Sequence, residues 1–222
     1  GYFSYDQGLS LYVGWYFGQT DDTAIIWAQP SNAGLRIIDT YRNAGKTIDF
    51  YVPLITGIVP SDDYRYTPKD YEIMAEHKYW KRGTHFGDPA GRFTNNVTNT
   101  SVIDVLRQSG IIVNFQDAWK EFNVRKTAAK LLIRDHIFLN KNERVDYFNL
   151  CISQASYPQV RISGEQEVKS VKPKHDYTSH YRSAFEYLAL GMRDLRAHRP
   201  KPFEPFKPKP VNKIGRASCR AR

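Results

Sequence analysis

Three short segments hold the side chains best suited to chemistry on a charged substrate. Trp15-Tyr16-Phe17-Gly18 closes an apolar stretch and is followed by Asp21-Asp22-Thr23-Ala24. Gly87-Asp88-Pro89-Ala90-Gly91 closes a second stretch, and His175-Asp176-Tyr177-Thr178-Ser179-His180-Tyr181-Arg182-Ser183-Ala184 runs into a third. Each matters through its place at the end of an element, because strand ends and a helix N-terminus converge on one cleft in an open sheet. Carboxylates in such a cleft suit phosphodiester hydrolysis by two divalent ions about 4 Å apart, one activating water and one stabilising the leaving oxygen. Hard oxygen donors select Mg²⁺ or Mn²⁺. Plainer readings stand beside this one. An aspartate before proline, such as Asp88, is an ordinary strand-to-turn residue. Asp21-Asp22 suits a hairpin turn, Asp176 or Ser179 suits a helix cap, and His180 suits a surface or capping position.

The elements that must carry these segments follow from periodicity. Leu11 to Phe17, Thr23 to Ala28 and Leu35 to Tyr41 read as three strands in meander order, with the turn at residues 18–22. Tyr51 to Ile58 is apolar but interrupted by Pro53, Asp70 to Trp80 suits a helix, and Gly83 to Gly87 suits a short strand. Ser101 with Asp104 three residues on is a capping-box pattern, and Gly110 stops the helix it opens. Ile111 to Phe115 reads as a strand. Val124, Ala128, Leu131 and Leu132 share one helical face, Asp146 to Ser153 suits another helix, and Tyr181, Phe185, Leu188 and Met192 form the stripe of a last one from Ser179. Strands first, then alternating helices and strands, imply an α/β fold with a mixed sheet.

The three segments, in this order, resemble the nuclease domain of phage large terminase subunits, an RNase H-like fold that cuts concatemeric DNA during packaging. The family pattern opens with a strand ending Gly-Trp-Asp-Phe/Leu-Gly and a turn into Asp-Asp-Thr-Ala; here stand Gly14-Trp15-Tyr16-Phe17-Gly18 and Asp21-Asp22-Thr23-Ala24. Its Gly-Asp-Pro-Ala-Gly segment is matched residue for residue by Gly87 to Gly91. Its His-Asp-x-x-Ser-His-x-x-Asp-Ala run is matched by His175, Asp176, Ser179, His180 and Ala184, with Ser183 where the last aspartate stands. The resemblance runs from about Tyr12 to Met192. It implies an RNase H-like mixed sheet flanked by helices, and a two-metal endonuclease using Mg²⁺ or Mn²⁺. The implied ligand positions are 16, 88 and 183, and His180 is the implied catalytic neighbour. Only Asp88 is a carboxylate there. Tyr16 is a bulky, uncharged phenol at neutral pH, and Ser183 brings a hydroxyl without charge. Asp21, Asp22 and Asp176 are the carboxylates near enough in sequence to substitute. The resemblance also implies viral double-stranded DNA, the terminase ATPase half, the small subunit and the portal as partners, in the host cytoplasm and transiently at the procapsid. Two other readings remain open: a catalytically silent DNA-binding or motor-docking module of the same fold, and another RNase H-like nuclease.

Composition agrees with a globular domain on a polyanion. The chain has 222 residues, 41% hydrophobic and 25% charged. The closing Ile214 to Arg222 reads as a translated sequencing-adapter oligonucleotide and is set aside; without Arg216, Arg220 and Arg222 the net charge falls from +9 to +6. A basic balance favours a polyanionic partner, and a merely basic soluble protein is the plainer reading of the same charge. Arg125, Lys126, Lys130 and Arg134 on one helix, and Lys172 and Lys174 before the third segment, are the candidate phosphate contacts; a solvated helix face explains the first group equally well. Cys151 is then the lone cysteine, in an apolar stretch, which suits packing in a reducing compartment. No apolar run reaches a membrane span, no secretory leader opens the chain, and no glycine-rich phosphate loop is present. The expected organisation is a nuclease domain over 1–198, a Pro/Lys-rich extended tail over 199–213, and the set-aside residues 214–222.

Overall fold

The computed structural model of the chain describes residues 2–18, 21–61, 63–94, 100–155, 159–161, 167–169 and 176–197. β1 (Tyr12–Tyr16), β2 (Thr23–Ser31) and β3 (Gly34–Asn43) form the antiparallel meander that their β-branched and aromatic runs imply, with one register shift at Trp27/Ala28. The apolar stretch after them is a short helix, α1 (Val52–Thr56), with Pro53 in the first turn, where its missing N–H is not needed. α2 (Pro68–His77) starts before the expected Asp70 because Thr67 caps it: the Thr67 hydroxyl accepts the Asp70 N–H while the Asp70 carboxylate accepts the Thr67 N–H.

Then follow β4 (Thr84–Phe86), α3 (Val102–Gln108), β5 (Val113–Asn114), α4 (Phe122–Arg134), β6 (Ile137–Leu139) and α5 (Glu143–Gln154). A hairpin of β7 (Gln159–Arg161) and β8 (Glu167–Lys169) precedes α6 (Ser179–Ala197). Ser101 caps α3 as its spacing predicts, its hydroxyl accepting the Asp104 N–H at 3.1 Å. Among the described residues the main sheet has six strands in the order β5-β4-β1-β2-β3-β6, with β4 parallel to β1, β5 parallel to β4 and β6 parallel to β3. The mixed α/β sheet flanked by helices is thus the one expected.

Side chains alternate across the sheet and bury two cores. Tyr12 and Tyr16 of β1, Ala24, Ile26 and Ala28 of β2, and Phe86 of β4 pack towards α4, α5 and α6. Val13, Trp15, Ile25 and Trp27 pack on the opposite face towards α1, α2 and α3. The stripe Tyr181, Phe185, Leu188 and Met192 is buried as expected, and Cys151 is fully buried packing. Leu131 is a correction: it is 39% exposed, because the inward line of α4 runs through Val124, Ala128 and Leu132 and leaves Leu131 at its edge. α6 lies directly over β1. A Cβ on Gly14 would fall 2.7 Å from the Ala184 carbonyl oxygen, so that glycine sets the helix-to-sheet distance. No helix among the described residues is long and apolar enough to cross a membrane.

Candidate functional site

Tyr16 ends β1 and Asp88 follows β4, and because those two strands are paired in parallel the residues emerge side by side at the same edge of the sheet. Strand parity then puts Tyr12, Tyr16 and Phe86, and by continuation Asp88, on the α6 face. Phe17 locks the two ends together: its ring occupies the space above Gly87 and Gly91, where an added Cβ would come within 2.9 Å and 2.6 Å of it. This gives both glycines of the second segment a physical reason. The third segment arrives from above, with the His180 ring 5.5 Å from the Tyr16 ring. Ser183, one turn on, shares that face of α6, just before the Ala184 carbonyl that abuts Gly14. The structure thus brings Tyr16, Asp88, His180 and Ser183 to one edge.

Their electrostatics follow from burial and four charged neighbours. Tyr16 is half-buried, and desolvation, then Asp21 and Asp88, raise its phenol above the ordinary value, against the pull of Arg125 and Arg182. It is therefore neutral at physiological pH. Asp88 caps the turn after it, its carboxylate accepting the Ala90 N–H at 2.8 Å. Burial, and a hydrogen bond to Asp88, keep the Tyr187 phenol protonated. Arg125 donates to the Tyr187 hydroxyl at 3.0 Å and to Glu186 at 3.0 Å, while Arg182 lies 3.6 Å from the other oxygen of Glu186. Burial pushes Glu186 up, against both arginines.

The remaining candidates are placed as follows. Asp21 acts on Tyr16 through its charge. Asp22 is held by Arg42 at 2.5 Å, and Arg42 also donates to the Tyr177 carbonyl at 2.5 Å, tying the first turn to the approach to α6. Asp176 caps that approach, accepting from the Thr178 N–H at 2.9 Å and from the Thr178 hydroxyl at 2.6 Å. On α4, Arg125 turns inward to Glu186 and Lys126 lies 5.9 Å from the Phe122 ring, whereas Lys130 and Arg134 are exposed. Lys172, Lys174 and His175 lie outside the described residues, as do the tail 199–213 and residues 214–222. Among the described residues, no three His, Cys, Asp or Glu side chains gather as a metal-binding group. The plain sequence reading did not single out Arg182, Glu186 and Tyr187. Its signal was available: a glutamate inside Ala184-Phe185-Glu186-Tyr187-Leu188, flanked by the buried stripe, needs a cation partner.

No family model matches the chain, and no curated protein matches it. Among solved structures, the large terminase of the thermophilic bacteriophage D6E in crystal form 3 superposes with a TM-score of 0.53 and 19% identity, covering 83% of this chain and 40% of that one. Crystal form 2 gives a TM-score of 0.51 at 17% identity, covering 83% and 39%. The complex with ATP-gamma-S gives 0.52 at 19%, covering 81% and 39%. The chain therefore spans about 40% of the length of the terminase chains it matches. At these identities the likeness is one of fold: this α/β domain has an architecture found within a phage large terminase.

Proposed function

We propose that the chain is the nuclease domain of a DNA-packaging large terminase, and that in this copy the cleavage centre does not assemble. The observation that carries the first half is convergence. Three segments far apart in sequence meet at one sheet edge, with Tyr16 and Asp88 at the ends of paired parallel strands and His180 against Tyr16, which supports the reading. The likeness of fold to a large terminase supports it. In an intact copy of such a domain, metal-dependent endonucleolytic cleavage of concatemeric double-stranded DNA is the activity. The ATPase half, the small subunit and the portal are its partners.

The second half rests on the donors present. A pair of hard divalent cations needs several anionic oxygens, and the site offers one strand-end carboxylate, Asp88, already accepting a backbone N–H, with Asp21 of the neighbouring turn as the other carboxylate acting on Tyr16. Tyr16 brings a neutral phenol into the space a carboxylate would need, and Arg125 and Arg182 add positive potential at that point. These residues do not fit a two-ion site. The domain as it stands is a DNA-holding module of a packaging motor rather than a cutting one.

A supercoiled-plasmid assay with Mg²⁺ or Mn²⁺ tests both halves. The chain as given is expected to leave plasmid intact, and Tyr16→Asp with Ser183→Asp to nick and linearise it. Asp88→Ala should abolish the restored activity. Cutting by the unaltered chain that survives Asp88→Ala would show the site to be elsewhere. A folded but silent double variant would remove the nuclease assignment.

A further inference from the structure

The stretch after Asp88 carries an alternation of rings and cations that the site above leaves unexplained. Phe93 is 56% exposed, with the Arg92 guanidinium carbon 6.0 Å and the Lys120 ammonium 5.5 Å from its ring centre. Arg92 also lies 5.9 Å from the Phe115 ring. The pattern continues into α4, where Arg125 and Lys126 each lie 5.9 Å from the Phe122 ring. The two parts are joined directly, since Arg125 donates to the Lys120 carbonyl at 3.4 Å. Asp117 and Glu121 are the acids of this surface, and Asp117 braces Arg92 at 2.7 Å and Lys120 at 3.5 Å. Through Arg125 and Tyr187 the surface reaches Asp88.

A single exposed ring needs no explanation. An exposed ring with two cations within about 6 Å, close in the fold to a second ring that has Lys126 beside it, has the two elements of a polynucleotide platform: a face for a base and charges for the flanking phosphates. Duplex DNA does not offer a free base face, so such a platform selects an unpaired strand. We propose that Phe93, with Arg92 and Lys120, is a stacking site for an unpaired DNA strand passing Asp88. That the polynucleotide is DNA rests on the terminase reading; the stacking chemistry itself does not depend on cleavage.

Fluorescence anisotropy on the full chain at low salt, with a labelled oligothymidylate and a duplex of equal length, decides the matter. Phe93→Ala is expected to weaken oligothymidylate binding about tenfold, the order expected for losing one stacked base, and to leave duplex binding unchanged. Phe93→Trp should retain affinity and Phe93→Leu should not, which separates stacking from apolar contact. Arg92→Gln and Lys120→Gln should each lower the slope of log affinity against log salt by roughly 0.7. No oligothymidylate binding at low salt, unchanged binding by Phe93→Ala, or full affinity in Phe93→Leu would each overturn the stacking site. Plasmid cleavage by the Tyr16→Asp, Ser183→Asp double variant reads the nuclease assignment separately. Restored cutting without a Phe93 effect removes only the stacking site, and a Phe93 effect without restored cutting removes only the nuclease assignment.

Discussion

Acid should weaken this fold through one histidine, and the size of the effect can be worked from its contacts. His85 is 2% exposed and stands behind the parallel β1–β4 pair that presents Tyr16 and Asp88. The Trp15 indole N–H donates to His85 Nδ1 at 2.9 Å, so that nitrogen must be an acceptor, and Nε2–H then donates to the Arg82 carbonyl at 2.6 Å. The neutral ring is fully satisfied; a proton on Nδ1 would face the indole N–H. Burial accordingly lowers the His85 pKa to about 4, from an ordinary 6.5. A group whose folded pKa is depressed in this way binds its proton more readily in the unfolded chain. Its stabilisation is complete above the unfolded value near 6.5 and is lost as pH falls towards the folded value near 4. The interval of about 2.5 units at 1.36 kcal/mol each gives about 3 kcal/mol, a large share of the 5–15 kcal/mol by which domains are stable. Urea unfolding followed by tryptophan fluorescence, at steps from pH 7 to 4.5, measures it against His85→Gln. The carboxylates common to both proteins cancel in the difference. The unaltered chain should lose stability faster than the variant, approaching about 1.4 kcal/mol per pH unit below pH 6. Parallel curves, or a His85 imidazole titrating near 6.5 by NMR, would refute the reasoning.

Two further outcomes follow from packing. A Cβ on Gly191 of α6 would sit 2.1 Å from the Phe86 ring, so Gly191→Ala should cost about 1–2 kcal/mol net in chemical denaturation, overpacking outweighing the helix-propensity gain. A higher melting temperature in that variant would count against the α6–β4 contact. Asp39 is 1% exposed and accepts from His77 at 3.1 Å and from Arg144 at 2.7 Å twice; burial pushes its carboxyl up, but these partners outweigh that and hold it below the usual range. Asp39→Ala leaves His77 buried beside an empty acceptor and should cost about 3–5 kcal/mol, read as a shift in urea midpoint with unchanged slope.

The parts legible in the sequence are those fixed by local pattern. β1 to β3 announce themselves by apolar, β-branched runs around an acidic turn, and Ser101 with Asp104 announces α3, because these signals need nothing distant. β6 carries no such local signal. Ile137-Phe138-Leu139 is three residues entered from His136 at φ 71°, and it is a strand because Leu35–Ile37 lies alongside to pair with it. Helical spacing places Leu131, seven residues after Val124, near the core face; near is not enough where α6 covers only the Val124–Ala128–Leu132 line. At the site, the sequence shows three segments in order, and the structure brings Tyr16 and His180 of the first and third together. That Arg125 turns inward to Glu186 is not legible in the sequence, since it depends on how α4 crosses α6 rather than on the spacing of either helix.

The charges around Tyr16 explain how the fold accommodates a neutral ring at this edge. Arg125 and Arg182 share Glu186, so their positive charge has a partner that does not depend on carboxylates at positions 16 and 183. Three aspartates gathered at one strand edge without cations would repel, and one would take up a proton to relieve it. Tyr16 instead brings a neutral ring against His180 and His180 against β1. A neutral phenol at position 16 and a hydroxyl at position 183 therefore let this edge pack without adding negative charge beside Asp88 and Asp21. Under the proposed reading, binding two cations would ask for carboxylates at the two positions where this chain instead places residues that pack the edge. Asp88 keeps the part that its backbone position alone requires, the cap of the turn at Pro89.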